Sequence, residues 1–366
     1  MKIGILTFHR AYNYGAVLQC YALKETLRKM GHEVYVIDYR QPDIERFYKY
    51  RSRFNLKNAF KMSFLGVLKF FLLSPLREVK RIIVHHRFKR TFEGFQKNYL
   101  NLTLKYISSI PDYFDRYIIG SDMLWTYDAS SDHFEPFYLG EFKHKPDSRV
   151  IGYAISGTPD SFHRLGKELN YSFLGNFDAV SVRERALAEI VKEYSNREIT
   201  CCIDPTMLTT KELWENVVNK NWENKRYIVT YFLRVNGAEG VDLKRKVQLL
   251  AKKEDLDVIN IDVISASNPL SVEDFVSIIG NAKYVVTDSF HGMVFSLIFE
   301  RPFHVLKLHD SHDTRYVDIL QTIGAEELAV DTSFTPFIPQ VDYKVLNERI
   351  DQFKGSSIEY LRKNIK

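Results

Sequence analysis

Short apolar runs that empty into polar loops recur along this chain of 366 residues. Lys2–Phe8 is the first, followed by a loop at His9–Gly15 and a helical pattern over Ala16–Met30, where Val17, Leu23, Leu27 and Met30 fall near helical spacing. Gly31 stops that helix, and Val34–Tyr39 reads as a second strand, which completes a βαβ unit. Further apolar runs end in Gly120–Ser121–Asp122, in Ser156–Gly157–Thr158, in Arg183–Glu184–Arg185 and in Asp204–Pro205. Strands this short and this apolar belong in a parallel sheet covered on both faces, with function along its carboxyl edge.

A second set begins at Tyr227–Phe232. Helix Leu243–Lys252, strand Asp257–Ile261, helix Ser271–Gly280, strand Tyr284–Val286, helix Gly292–Phe299 and strand Pro302–Leu306 follow, and Val345–Lys363 is helical. Thr206–Lys225 reads as a mostly helical bridge. The pattern predicts an α/β protein of two doubly wound, Rossmann-like domains, 1–205 and 206–366, facing each other across a cleft.

Residues 41–105 interrupt the first domain and change the charge picture. Between Arg46 and Lys105 there are 15 Lys/Arg against 2 Asp/Glu, a local net of +13 within a total of +5, so the remainder sums to −8. The segment is also aromatic, and Val84, Phe88, Phe92 and Phe95 fall on one helical face. It reads as two or three helices. Its basic, aromatic surface suits a plain helical insert, peripheral contact with an anionic membrane, or nucleic acid, and the last is not expected. Met62–Leu76 is too short to span a bilayer and contains Lys69 and Pro75. The other bounds are ordinary: 45% hydrophobic, 27% charged, and three cysteines with no CxxC or zinc spacing. A cytoplasmic protein is the expectation, with strand pattern starting at the first residues and no signal peptide.

The chemistry-bearing side chains sit where strands end. Thr287–Asp288–Ser289–Phe290–His291–Gly292 runs from a buried strand into a helix N-terminus, where unpaired N–H groups favour anions. His291 can exchange a proton near neutral pH, or merely cap the helix. Arg183 offers a guanidinium fork to carboxylate or phosphate, or pairs with Glu184 or Glu189. Arg234 and Arg315 follow the same logic. His9, Asn13 and Tyr14 offer hydrogen bonds at the first strand's exit. Ser121 and Asp122, with Trp125 one turn on, suit a sugar by hydrogen bonding and stacking, or form a structural turn around a core tryptophan. GxGxxG, Walker, HExxH and GxSxG patterns are absent, and the DxD spacing of Asp255–Leu256–Asp257 at a turn reads as chance.

Taken in order, Thr7–Phe8–His9, Asn13–Tyr14–Gly15–Ala16–Val17–Leu18–Gln19–Cys20–Tyr21–Ala22–Leu23, Ile37–Asp38–Tyr39, Gly120–Ser121–Asp122 with Trp125, Ser181–Val182–Arg183–Glu184, Asp204–Pro205–Thr206 and Thr287–Asp288–Ser289–Phe290–His291–Gly292 with Phe295–Ser296 resemble the polysaccharide pyruvyl transferase family. The resemblance spans nearly the whole chain except the basic insert. It implies a glycosyltransferase-B-like fold and transfer of a pyruvyl group from phosphoenolpyruvate to a sugar of a cell-surface or exopolysaccharide, as a ketal, on a glycan or lipid-linked acceptor. Phosphoenolpyruvate would be the donor co-substrate, with no resident cofactor and no metal. His291 would match the catalytic histidine and Arg183 an arginine holding donor phosphate or carboxylate. Ser289, Gly292, Arg234 and Arg315 would line the donor site, and His9, Asn13, Tyr14, Ser121, Asp122 and Trp125 the acceptor site. Relatives often carry arginine where this chain has Ser289, and glutamine where it has Met123. Two alternatives stay open: a nucleotide-sugar-dependent glycosyltransferase using the same cleft, and a non-catalytic glycan-binding module. The basic insert would hold the protein at the inner face of the plasma membrane.

Overall fold

The computed structural model describes residues 1–50, 64–126, 134–195, 197–261 and 269–366. Seven strands form the first sheet: β1 (Lys2–Leu6), β2 (Glu33–Tyr39), β3 (Leu102–Tyr106), β4 (Arg116–Asp122), β5 (Arg149–Ile155), β6 (Ala179–Val182) and β7 (Thr200–Cys201). Their order is β3-β2-β1-β4-β5-β6-β7, and every pairing is parallel. The second sheet contains β8 (Tyr227–Tyr231), β9 (Asp257–Asn260), β10 (Tyr284–Thr287), β11 (Phe303–Lys307) and β12 (Ala329–Asp331), in the order β12-β11-β10-β8-β9, again all parallel. The order reverses between β1 and β4 in one sheet and between β8 and β10 in the other. Those two switch points put the loops after β1, β4, β8 and β10 at the crevices where such sheets bind ligands.

The helices in chain order are α1 (Tyr14–Lys29), α2 (Pro42–Phe47), α3 (Phe64–Tyr99), α4 (Pro159–Leu169), α5 (Arg185–Tyr194), α6 (Pro205–Leu208), α7 (Lys211–Glu215), α8 (Gly237–Lys253), α9 (Val272–Asn281), α10 (Phe290–Ile298), α11 (Thr314–Ile323) and α12 (Tyr343–Ile365). No described helix is long and apolar enough to cross a membrane.

Helix α1 departs from the one-sided helix that its spacing suggests. Every residue from Tyr14 to Leu27 is buried, because the first sheet covers one side and the second half of the chain covers the other. Tyr14 stacks on Phe275 of α9 with ring centroids 4.5 Å apart and donates a hydrogen bond to the Leu270 carbonyl at 3.0 Å. Tyr21 meets Trp214 edge-on, and Trp214 meets Phe295 of α10. One apolar core therefore runs through both halves, and helices buried all round are what such a core requires.

Three elements differ from the expected layout. The insert expected over 41–105 closes with β3, an edge strand paired to β2 on which Leu104 faces solvent; edge pairing imposes no apolar alternation, so its sequence reads as loop or helix. The bridge after residue 205 is two short helices and a single 3-10 turn, with Trp214 fully buried as an anchor. The final helix, α12, lies in sequence with the second set but packs on the first sheet. Its Tyr360 hydroxyl donates to the Gly152 carbonyl at 2.9 Å, and its Ser357 Oγ accepts the Ile203 N–H at 2.9 Å. Phe88, Phe92 and Phe95 of α3 are buried, and Val84 is half-buried beside them.

Candidate active site

The turn after β10 is built by its own polar residues. Thr287 Oγ1 donates to the Tyr231 carbonyl at 2.7 Å and accepts the Ser289 N–H at 3.0 Å. Asp288 is buried, and its carboxylate accepts the N–H groups of Leu233, Arg234 and Val235 at 2.6–2.7 Å, which clamps the loop after β8 to the loop after β10. Ser289 caps α10 by accepting the Gly292 N–H at 3.3 Å. Gly292 has no substitute here, since a Cβ would lie 2.5 Å from Thr287 Oγ1. The helix start is thus pressed onto the strand end, and His291 projects from its first turn.

His291 faces the other half of the chain. Its Nε2 stands 3.7 Å from Asp204 Oδ2, too far for a hydrogen bond, and although buried has no hydrogen-bond partner among the described residues. Gly15 of α1 lies against the imidazole, where a Cβ would come within 2.0 Å of Nδ1. Asp204 caps α6, accepting the Thr206 N–H at 3.0 Å and its hydroxyl at 2.6 Å, and its Oδ2 accepts Arg183 Nη1 at 2.9 Å. Burial works against the charge of this carboxylate. The nearness of His291, then of Arg183 and Thr206, outweighs it and holds the group well below the usual carboxylate range.

Arg183 is a buried strut. Nε donates to Glu184 at 2.9 Å, Nη1 to Asp204, and Nη2 to Ser156 Oγ at 2.8 Å, while its plane lies 4.2 Å from the Phe290 ring centroid. Ser156 in turn donates to Glu184 Oε1 at 2.7 Å. Burial alone would weaken the guanidinium's charge; Glu184 and Asp204 more than offset that. The pairing with Glu184 that the sequence offered as an alternative is the one formed, and the guanidinium fork is engaged by Glu184, Asp204 and Ser156. Arg234 is committed in the same way, to Asp310 at 2.7 Å and Asp313 at 3.0 Å.

Arg315 differs from both. It makes no ion pair among the described residues; its Nε donates to the His312 carbonyl at 3.1 Å and its Nη1 lies 3.1 Å from Met123 Sδ, across the interface in the first half. Burial, then Arg183, with Arg234 also repelling, pushes its pKa down to about 10. Asp122 and Glu184 pull the other way without touching it. Arg315, Arg183, Asp204 and Phe290 line one narrow crevice with Asp318 and Thr322.

Four of the expected acceptor residues are buried in the protein's own packing and hydrogen bonds. His9 is fully buried, its Nε2 3.2 Å from Asp38 in a cluster that Arg10, Arg40 and Gln96 complete. Tyr14 is part of the shared core. Ser121 is buried, donating to the Ala154 carbonyl at 2.6 Å. Trp125 is buried among Phe162, Phe173 and Phe177, with no face for a sugar. Asn13 is exposed as the cap of α1, and Asp122 is half-buried at the end of β4, its Oδ1 accepting only the Met123 N–H among the described residues. Asp204, Glu184, Ser156 and Gly15 were not singled out as site residues, although Asp204–Pro205, Glu184 and Ser156 each stand at a strand exit. A cavity of about 620 Å³ lies elsewhere, by Met1 at the amino end of β1, lined by Lys29, Lys354 and Arg362.

The two parallel, Rossmann-like units gather their charged groups between the strand exits. The chain belongs to the polysaccharide pyruvyl transferase family, whose model matches residues 13–310. No curated protein matches it. Among solved structures it is similar to UDP-GlcNAc 2-epimerase from Methanocaldococcus jannaschii, at 11% identity and a TM-score of 0.46 over 96% of this chain and 92% of that one. It is similar to UDP-N-acetylglucosamine 2-epimerase from Rickettsia bellii at 10% identity and 0.46, over 99% and 98%. The glycosyltransferase SnogD from Streptomyces nogalater gives 11% and 0.41, over 98% and 95%.

Proposed function

We propose that this chain transfers a pyruvyl group from phosphoenolpyruvate to two hydroxyls of a sugar in a cell-surface polysaccharide or its lipid-linked precursor, forming a ketal. The observation that carries the reading is Arg315. A half-buried guanidinium with no carboxylate partner among the described residues lines a crevice with Phe290, the neighbour of a histidine whose Nε2 is unpartnered there, and this suits an anionic donor whose chemistry begins with proton transfer. Arg315 holds the donor's phosphate or carboxylate. His291 delivers a proton to the methylene carbon, which leaves a cation at C2. One sugar hydroxyl adds to C2 and loses its proton, phosphate departs with the C2–O bond pair, and the second hydroxyl closes the ketal and loses its proton. Asp204 and Gly15 fix the imidazole, and Arg183 fixes Asp204.

The test is a thermal-shift titration of the purified protein with phosphoenolpyruvate and with nucleotide sugars, repeated on Arg315→Met and His291→Ala. A ligand that binds the native state raises its stability. Stabilisation by phosphoenolpyruvate, lost in Arg315→Met, supports the reading. Stabilisation by a nucleotide sugar alone replaces it with glycosyl transfer, in which the Ser289 hydroxyl at the helix start takes the place of a cation.

A further inference from the structure

Helix α3 has two different faces. Phe88, Phe92 and Phe95 point into the core. Away from them, Leu76, Val79, Ile83, Arg87 and Arg90 follow one another at spacings of three and four residues, which is a single stripe on a helix. Leu76, Val79 and Ile83 are 68%, 53% and 47% exposed. Arg87 and Arg90, with Lys80 alongside, are exposed as well, and none of the three forms an ion pair among the described residues. The two acids of the segment are already engaged, Glu78 with Arg81 and Tyr50 and Glu93 with Lys89.

The order along the stripe matters. Arg87 and Arg90 lie beside the part of the helix that the core holds, and Leu76, Val79 and Ile83 lie beyond them with Lys80 in their midst. With a rise of about 1.5 Å per residue, Leu76 stands roughly 18 Å past Phe88. The sequence upstream, FLGVLKFFLLSP over residues 64–75, carries one charge. Exposed apolar residues flanked by cations that form no ion pair among the described residues, in a segment of net +13, suit the interface of an anionic bilayer, where apolar groups meet the acyl boundary and basic side chains reach the headgroups.

We propose that the outer stripe of α3 docks the protein on an anionic phospholipid surface, with Leu76, Val79 and Ile83 entering the acyl boundary and Lys80, Arg87 and Arg90 binding the headgroup phosphates. This goes beyond the transfer reaction and stands or falls separately from it, since donor binding is read in solution.

The experiment is co-sedimentation of the full chain with vesicles of phosphatidylcholine alone and of phosphatidylcholine mixed with phosphatidylglycerol. The protein should pellet with the mixed vesicles and stay free of the neutral ones. Arg87→Glu with Arg90→Glu should weaken that partitioning by about a hundredfold. Val79→Asp with Ile83→Asp should also abolish it, while the melting curve and the donor-induced shift of both variants stay as in the parent. Equal pelleting with both vesicle types, no pelleting with either, or full retention by both double variants would overturn the proposal. So would a dimer in solution that Val79→Asp with Ile83→Asp splits without any vesicle binding, which would assign the stripe to a second copy of the chain.

Discussion

Gly15 and His291, one in the first helix and the other 276 residues later in α10, are in direct contact: a Cβ on the glycine would sit 2.0 Å from Nδ1 and 2.4 Å from Cγ of the imidazole. The amino-terminal loop therefore sets the position of a side chain that the second sheet supplies. Gly15→Ala must push the ring aside. Displacing a reacting group by about 1 Å costs on the order of a hundredfold in rate, and overpacking costs about 1–3 kcal/mol in stability. Transfer assays and urea melts should show both. In a His291→Ala background the stability loss should vanish, because the space is then free.

Asp204→Asn tests the charge cluster. The native carboxylate is held below its usual range, so its stabilising effect is complete above the ordinary value of about 4 and is lost as the pH falls below it. The variant leaves Arg183 with one buried partner fewer and should lose about 3–5 kcal/mol at neutral pH. Its stability should then fall less than the parent's between about pH 5 and pH 3 in chemical melts.

Arg315→Met should separate binding from stability. The residue is half-buried, and burial together with nearby Arg183 disfavours its charge, with a pKa pushed down to about 10. Removing it should leave the unfolding free energy unchanged or higher by on the order of 1 kcal/mol. The same variant should lose the phosphoenolpyruvate-induced thermal shift and most of the transfer rate. A large loss of stability would instead make Arg315 a structural cation.

Trp125→Ala removes a fully buried ring packed by three phenylalanines and should cost about 3–5 kcal/mol in a thermal or urea melt. Trp125→Phe, which keeps the fold, should leave the acceptor KM unchanged. A raised KM in that variant would restore the stacking role that the sequence suggested.

Much of this molecule can be read along the chain. Strands such as Tyr227–Tyr231 and Tyr284–Thr287 are apolar at nearly every position because both faces of a parallel sheet are covered, and the loops that follow them are polar because they reach the sheet edge. Those are local consequences of burial, so composition and spacing carry them. Which charge meets which is not local. Arg183 and Arg315 both follow apolar or polar segments in similar fashion, yet Arg183 meets Asp204 and Ser156, 21 and 27 residues away, and is neutralised, whereas Arg315 reaches Met123 across the interface and meets no carboxylate among the described residues. Trp125, Tyr14 and His9 look equally available in the sequence and are buried by elements far from them. The sequence by itself determined most of the strands and helices, though not β3 or β12, and the edge where chemistry gathers. Only the tertiary packing, within the first half for Arg183, His9 and Trp125 and between the halves for Tyr14, His291 and Arg315, decided which of the candidate side chains are buried, paired or left free, because burial and pairing depend on distances that tertiary structure alone sets.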